Sequence, residues 1–263
     1  MRVRNFSTKL VLATAFTLVA QSVLHRRRTV QVGPMNYALY INLDRRHDRR
    51  NEIEHELRLA NIAAHRIKAT DVHLDEVILQ SCWNYTDQLQ RQRCAGKLGC
   101  QLSHIQALEH AAALQWPQVA IFEDDFKWKT EVDPNYVLTA VKSVIQQVPD
   151  WDVIALSLRI LEQNDVLGTS PVQLGPRFVV NITKITSAVT THGYLIRRRM
   201  YGRLLEVFRS CNTTGVDWIA IDTCWLELQQ VTKWYGMRPQ MATQRASYSD
   251  IEGRHVSYAN IVK

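Results

Sequence analysis

Short apolar runs rich in β-branched and aromatic residues alternate along this chain with longer stretches of helical spacing. That order predicts an α/β fold with a mainly parallel central sheet, because parallel neighbours need a crossover and a helix usually supplies it. Tyr37-Ala38-Leu39-Tyr40-Ile41-Asn42-Leu43 reads as a buried strand leaving the core into the charged turn from Asp44 to Arg50. Ile53, Leu57 and Ile62 lie near helical spacing and predict a helix over 48–61, with a second strand at 65–69. Residues 72–96 read as an irregular surface excursion, and 98–116 as an amphipathic helix that Pro117 ends. The run Val119-Ala120-Ile121-Phe122 is a strand that meets Glu123-Asp124-Asp125 with nothing between. Asp133-Pro134 opens a helix to about Val148. Further strands are expected at 152–157, 177–182, 191–196 and 233–237, a loop at 161–175, and helices at 200–209 and 218–230. From Pro239 the tail is polar and expected to be partly ordered.

The first 35 residues read as a separate unit, ahead of one domain over 36–263. Leu10 to Leu24 is mostly apolar and lies between basic clusters. At about 15 residues it is short for a hydrocarbon core that wants roughly 20, but flanking Arg and Lys side chains can snorkel. It reads as an N-terminal hydrophobic helix, a signal-anchor with a cytosolic tail and a linker. That places the protein as single-pass in a membrane, with its domain luminal. A cleaved signal peptide, with Ala20-Gln21-Ser22 as the small-residue site and a secreted product, stays open, as does a plain amphipathic or buried helix. The formal charge of +7 includes Arg2, Arg4, Lys9, Arg26, Arg27 and Arg28, so the rest of the chain carries only about +1. A nucleic-acid binder needs its basic surface on the folded body, and no nucleic-acid partner is expected.

Asn84-Tyr85-Thr86, Asn181-Ile182-Thr183 and Asn212-Thr213-Thr214 are glycosylation acceptors if the domain is luminal. Five cysteines allow two disulfides; Cys82 with Cys94 and Cys211 with Cys224 are close in sequence, though spacing alone does not assign connectivity. No Cys/His pattern has structural zinc spacing.

The chemistry concentrates at Glu123-Asp124-Asp125. Three adjacent carboxylates repel one another and call for a counter-charge, which a hard divalent cation bound with phosphate oxygens supplies. A solvated acidic turn is the bland alternative. The carboxyl ends of strands in open α/β sheets are also where ligands gather. The surroundings favour the site. Ile41-Asn42-Leu43-Asp44-Arg45-Arg46-His47-Asp48-Arg49-Arg50 resembles the first strand and arginine-rich turn of glycosyltransferase family 25, which includes lipopolysaccharide and collagen galactosyltransferases. Gly96-Lys97-Leu98-Gly99-Cys100-Gln101-Leu102-Ser103-His104 is similar to that family's Gly-Glu-x-Gly-Cys-x-x-Ser-His motif. Ala120 to Asp125 resembles its metal-binding strand end. His192-Gly193-Tyr194, Ala220-Ile221-Asp222 and the stretch from Gln244 to Ile251 follow in the family's order. One departure is Lys97, where the family usually has Glu.

This resemblance implies a GT-A-like nucleotide-sugar-binding domain and an inverting hexosyltransferase. The donor would be a UDP-sugar, galactose first and glucose next, and the acceptor a hydroxyl on a glycan or glycoprotein. It implies Mn²⁺ or Mg²⁺ held by Asp124, Asp125 and Asp250. Asp222 is the leading candidate for the base, and Asp250 is the other. Donor contacts are expected from Asn42, Leu43, Arg45, Arg49, Asp71, Lys97, Ser103, His104 and Asp124. The competing class is a catalytically inactive, membrane-anchored module that binds glycan or protein, which Lys97 supports. A metal-dependent phosphodiester hydrolase is a third reading, against which stand the missing His-rich clusters and P-loop.

Overall fold

The first strand, Ala38–Asn42 (β1), is buried at every position, as a strand covered on both faces must be. The computed structural model describes residues 33–74, 80–82, 85–211 and 220–257. After β1 come α1 (His47–Leu59), β2 (Ala64–Lys68), α2 (Gln88–Ala113), β3 (Gln118–Glu123), β4 (Phe126–Trp128), α3 (Val137–Gln147) and β5 (Val153–Asp165). They are followed by β6 (Val172–Gln173), β7 (Val179–Arg197), α4 (Tyr201–Ser210), α5 (Ile221–Cys224), α6 (Leu226–Val231) and β8 (Trp234–Arg238). The described residues close with β9 (Ala242–Gln244), β10 (Ser247–Ser249) and β11 (Arg254–Val256).

The central sheet runs β2-β1-β3-β7-β5-β8. β1 is parallel to β2 and β3, and β5 is parallel to β8; β7 alone runs against its neighbours β3 and β5. The expected α/β fold with a mainly parallel sheet is therefore what forms. Alternation along β1 and β3 divides the core. Ala38, Tyr40, Ala120 and Phe122 meet Ile53 and Leu57 of α1 and the Val137, Val141 and Val144 stripe of α3. Leu39, Ile41, Val119 and Ile121 meet Leu108 and Ala111 of α2, Phe208 of α4, and Trp225. Both faces are thus sealed, and the polar residues at the carboxyl ends of β1 and β3 are left to form a site.

Three stretches differ from the sequence reading. Residues 88–96 are helical: Asp87 caps α2 by accepting from the Gln90 backbone N–H at 2.9 Å, so the helix begins ten residues before Leu98. Its first turns are polar because they lie on the surface, which hides the periodicity. β5 continues through Asp165, where a loop was expected, because its exposed end pairs with β7 (Glu162 with Ser187, Asn164 with Lys184). The two strands expected near 180 and 194 are one, β7, with Thr190 at φ 71° marking an irregularity within it. Cys82 bridges Cys94 and Cys211 bridges Cys224, each with Cα atoms 5.8 Å apart, and Cys100 is reduced.

Among the described residues no helix is long and apolar enough to cross a membrane. The hydrophobic segment at 10–24, Asn84, Asn212 and Trp218 lie outside the described residues. The third sequon is described: Asn181 is exposed on β7, paired opposite Arg238 of β8.

Candidate active site

The carboxylates of Glu123-Asp124-Asp125 cannot share one small volume while charged, and the fold sends each to different partners. β3 ends at Glu123, and the chain turns immediately into β4, so successive side chains leave in different directions. Glu123 meets the His104 ring at 3.1 Å through Nε2 and accepts a short hydrogen bond from the Thr191 hydroxyl. Asp124 accepts from Arg49 Nη1 at 2.8 Å and from Asn42 Nδ2 at 2.8 Å. Asp125 Oδ2 accepts from Gln244 Nε2 at 2.8 Å and lies 3.5 Å from Arg49, while its Oδ1 is buried with no hydrogen-bond partner among the described residues.

Arg49 reaches these groups because β1 lies parallel beside β3 and α1 follows β1 after a short turn. Its guanidinium is buried, and Nη2 also donates to Ser247 Oγ at 2.6 Å and the Tyr248 carbonyl at 2.9 Å. The C-terminal segment is held there by Arg245 as well. Its N–H donates to the Asp125 carbonyl at 2.6 Å, and its side chain pairs with Glu56 at 2.8 Å and Glu52 at 3.2 Å. Asp250, further along, is paired with Arg45 at 3.0 Å and with Arg46. Arg45 also approaches Asp71 at 3.4 Å.

Electrostatics follow burial. Asp124 is pushed up to about 6 by burial, with the charge of Asp125 adding and the Arg49 contact opposing. Burial also works to raise Glu123, but the His104 hydrogen bond, the His192 and His104 charges and the Thr191 hydroxyl prevail and bring it down to about 2. Asp222 is raised, first by burial and then by the Glu123 charge, against the Thr190 N–H that donates to its Oδ2 at 2.7 Å. Its Oδ1 is buried and has no hydrogen-bond partner among the described residues.

One cavity of about 410 Å³ is lined by Asn42, Leu43, Arg45, Arg49, Asp71, Lys97, Ser103, His104, Asp124, Asp125, Asp222 and Asp250. Residues singled out across the chain thus reach one place. Within it, Asp124 and Asp125 lie against Arg49, whereas Asp250 is held by the Arg45–Arg46 turn. Two carboxylates against one guanidinium leave a net negative charge, and Asp125 Oδ1 is a bare oxygen; this donor set fits a hard divalent cation. Sequence reading did not single out Arg46, Gln244, Thr191, His192 or Arg159, the last three of which line the cavity with Gln244. Gln244 and His192 fall within stretches of family resemblance; Arg159 carried no signal at all.

Ser103 shows how closely the parts fit. Its hydroxyl donates to the Gly99 carbonyl at 2.6 Å and accepts from the Thr70 N–H at 2.9 Å, tying α2 to the loop that carries Asp71. A Cβ on Gly99 would lie 2.6 Å from the Thr70 carbonyl oxygen, which is backbone and cannot swing aside. Gly99→Ala is therefore expected to cost about 1–3 kcal/mol, read as a melting temperature lower by roughly 2–12 °C. An unchanged melt would show that α2 and Thr70 separate freely.

Similar solved structures include a UDP-glucose pyrophosphorylase complexed with UDP-glucose, 9% identical over 83% of this chain and 94% of its own, at a TM-score of 0.41. A glycosyltransferase involved in the glycosylation of the major capsid of PBCV-1 is 9% identical over 84% of this chain and 97% of its own, at 0.38. A197 from STIV is 10% identical over 77% and 81%, at 0.37. No curated protein matches the chain in sequence. The family model described as Glycosyltransferase family 25 (LPS biosynthesis protein) matches residues 35–225, a span that includes β1, α2, the acidic triplet and Asp222. The chain belongs to glycosyltransferase family 25.

Proposed function

We propose that this glycosyltransferase moves a hexose, galactose before glucose, from a UDP-sugar to a hydroxyl of a glycan or glycoprotein, with inversion and with Mn²⁺ or Mg²⁺. The observation that carries the reading is the pairing, in one cavity, of Asp125 Oδ1 and Asp222 Oδ1, two buried carboxylate oxygens with no hydrogen-bond partner among the described residues. A divalent cation held by Asp124 and Asp125 would neutralise the charge on the leaving diphosphate. Arg49 fixes the rotamers of both carboxylates, and Asn42 takes the second oxygen of Asp124. Arg45 and Asp71, at the ends of β1 and β2, suit the nucleotide, and Asp250 holds Arg45 in place. Asp222 receives the acceptor proton on Oδ1 while the Thr190 N–H anchors Oδ2. The upward shift of Asp222 makes it a stronger base than an exposed aspartate.

The test is UDP release by the full-length chain with Mn²⁺ across a panel of UDP-sugars, beside Asp125→Asn. Slow hydrolysis of one donor, lost with EDTA and at least about 100-fold weaker in the variant, is expected. The competing inactive binding module, favoured by Lys97 in the cavity wall, predicts UDP binding without release.

We also propose that the domain is luminal behind a signal-anchor at 10–24. Two disulfides suit an oxidising compartment. In protein made by secretory cells, glycosidase treatment is expected to shift gel mobility through Asn181, which is exposed; an unshifted band overturns the placement.

A further inference from the structure

We propose that Cys100, His104 and Glu123 form a second cation site in this cavity, one that takes a soft divalent ion such as Zn²⁺. Cys100 and His104 are four residues apart on α2, so both side chains emerge on one face of the helix. β3 brings Glu123 to them, and the three ligand atoms (a sulfur, an imidazole nitrogen and a carboxylate oxygen) all lie within 4.8 Å of one another. His104 Nε2 and Glu123 Oε1 are already 3.1 Å apart, close to the spacing of two ligands on a tetrahedral zinc. Sγ needs a shift of about 1 Å to complete the set.

The groups behind the ligands are also in place. The other ring nitrogen of His104 meets the Tyr194 hydroxyl at 2.6 Å, which fixes the ring, and the Thr191 hydroxyl donates to Glu123. Ligating histidines and carboxylates are usually oriented in this way. When the ion takes Nε2, the neutral ring carries its single proton on Nδ1, where it donates to the Tyr194 hydroxyl oxygen, and the thiol proton of Cys100 passes to solvent. Because all three residues line the cavity, a fourth position is open to water. The sulfur and nitrogen donors select Zn²⁺, Co²⁺ or Cd²⁺, whereas the oxygen-only pair Asp124 and Asp125 suits Mn²⁺ or Mg²⁺. The two sites differ in ligands and in preference.

The experiment is a Co²⁺ titration of the full-length chain with its disulfides intact, followed by absorption. Cys100 is the single reduced cysteine, so a thiolate-to-cobalt charge-transfer band reports this site alone. The expected result is a band that saturates at one equivalent, disappears in Cys100→Ser and persists in Asp125→Asn. No band in protein that melts cooperatively, a band that survives in Cys100→Ser, or one that vanishes in Asp125→Asn overturns the proposal. X-ray absorption of the Zn²⁺-loaded unmodified chain tests it without any variant. One sulfur neighbour at about 2.3 Å is expected, and a shell of nitrogen and oxygen alone overturns it.

Discussion

Asp222→Asn is expected to lower turnover by at least about 100-fold while leaving the affinity for UDP within a factor of about two. The split follows from where Asp222 sits. It stands on α5, pairs with neither Arg45 nor Arg49 among the described residues, and its Oδ2 accepts from the Thr190 N–H. Asparagine can accept that same bond, so the cavity wall should keep its shape, but the amide cannot take a proton. Stability should not suffer. A carboxylate whose folded pKa lies above its unfolded value binds more protons in the folded state, so its contribution falls as pH rises through that window. Removing the charge removes that loss, and the variant should melt no lower than the native chain at neutral pH. In the native enzyme at saturating metal, kcat/KM should fall on the acid side with an apparent pKa above the ordinary carboxylate range. Unchanged turnover in Asp222→Asn would take the residue out of the base role.

How much of this was readable beforehand depended on burial. β1 and β3 announce themselves because strands covered on both faces are continuous apolar runs, and the acidic triplet stands out because three adjacent carboxylates need an explanation. The polar half of α2, the exposed end of β5 and the C-terminal strands were not legible. Gln88 to Arg93 and Leu161 to Asp165 have few positions facing a core, so hydrophobic spacing has nothing to register. The partners within the triplet were also hidden. That Glu123 turns to His104 and Thr191, and Asp124 to Arg49, is decided by how α2, β7 and α1 dock around β3, which no local pattern encodes. The tail is the clearest instance. Gln244 and Ser247 look like ordinary polar residues, yet they complete the surroundings of Asp125 and Arg49.

Arg49→Ala is expected to destabilise the protein by about 3–5 kcal/mol, or roughly 6–20 °C in melting temperature, and Mn²⁺ is expected to restore part of that. Arg49 is the cation paired with both Asp124 and Asp125, and all three are buried. Without it two carboxylates face each other in a poorly solvated place, the Ser247 hydroxyl loses the Arg49 donor, and the Tyr248 carbonyl keeps only the longer contact from Arg46 at 3.3 Å. Arg49→Lys should fall between, since one ammonium group cannot reproduce the fork that spans the carboxylates and the tail. The cation response separates charge from packing. If the carboxylates are where a divalent ion binds, Mn²⁺ at about 100 times its dissociation constant adds about 2.7 kcal/mol. At one fixed Mn²⁺ concentration the gain should be larger in Arg49→Ala than in the native chain, because there the ion no longer competes with the guanidinium for the same oxygens and binds more tightly. A variant that is destabilised and gains nothing from Mn²⁺ would mean that Arg49 only ties the tail to α1. A variant that melts like the native chain would show that the two carboxylates share a proton and never needed a counter-charge.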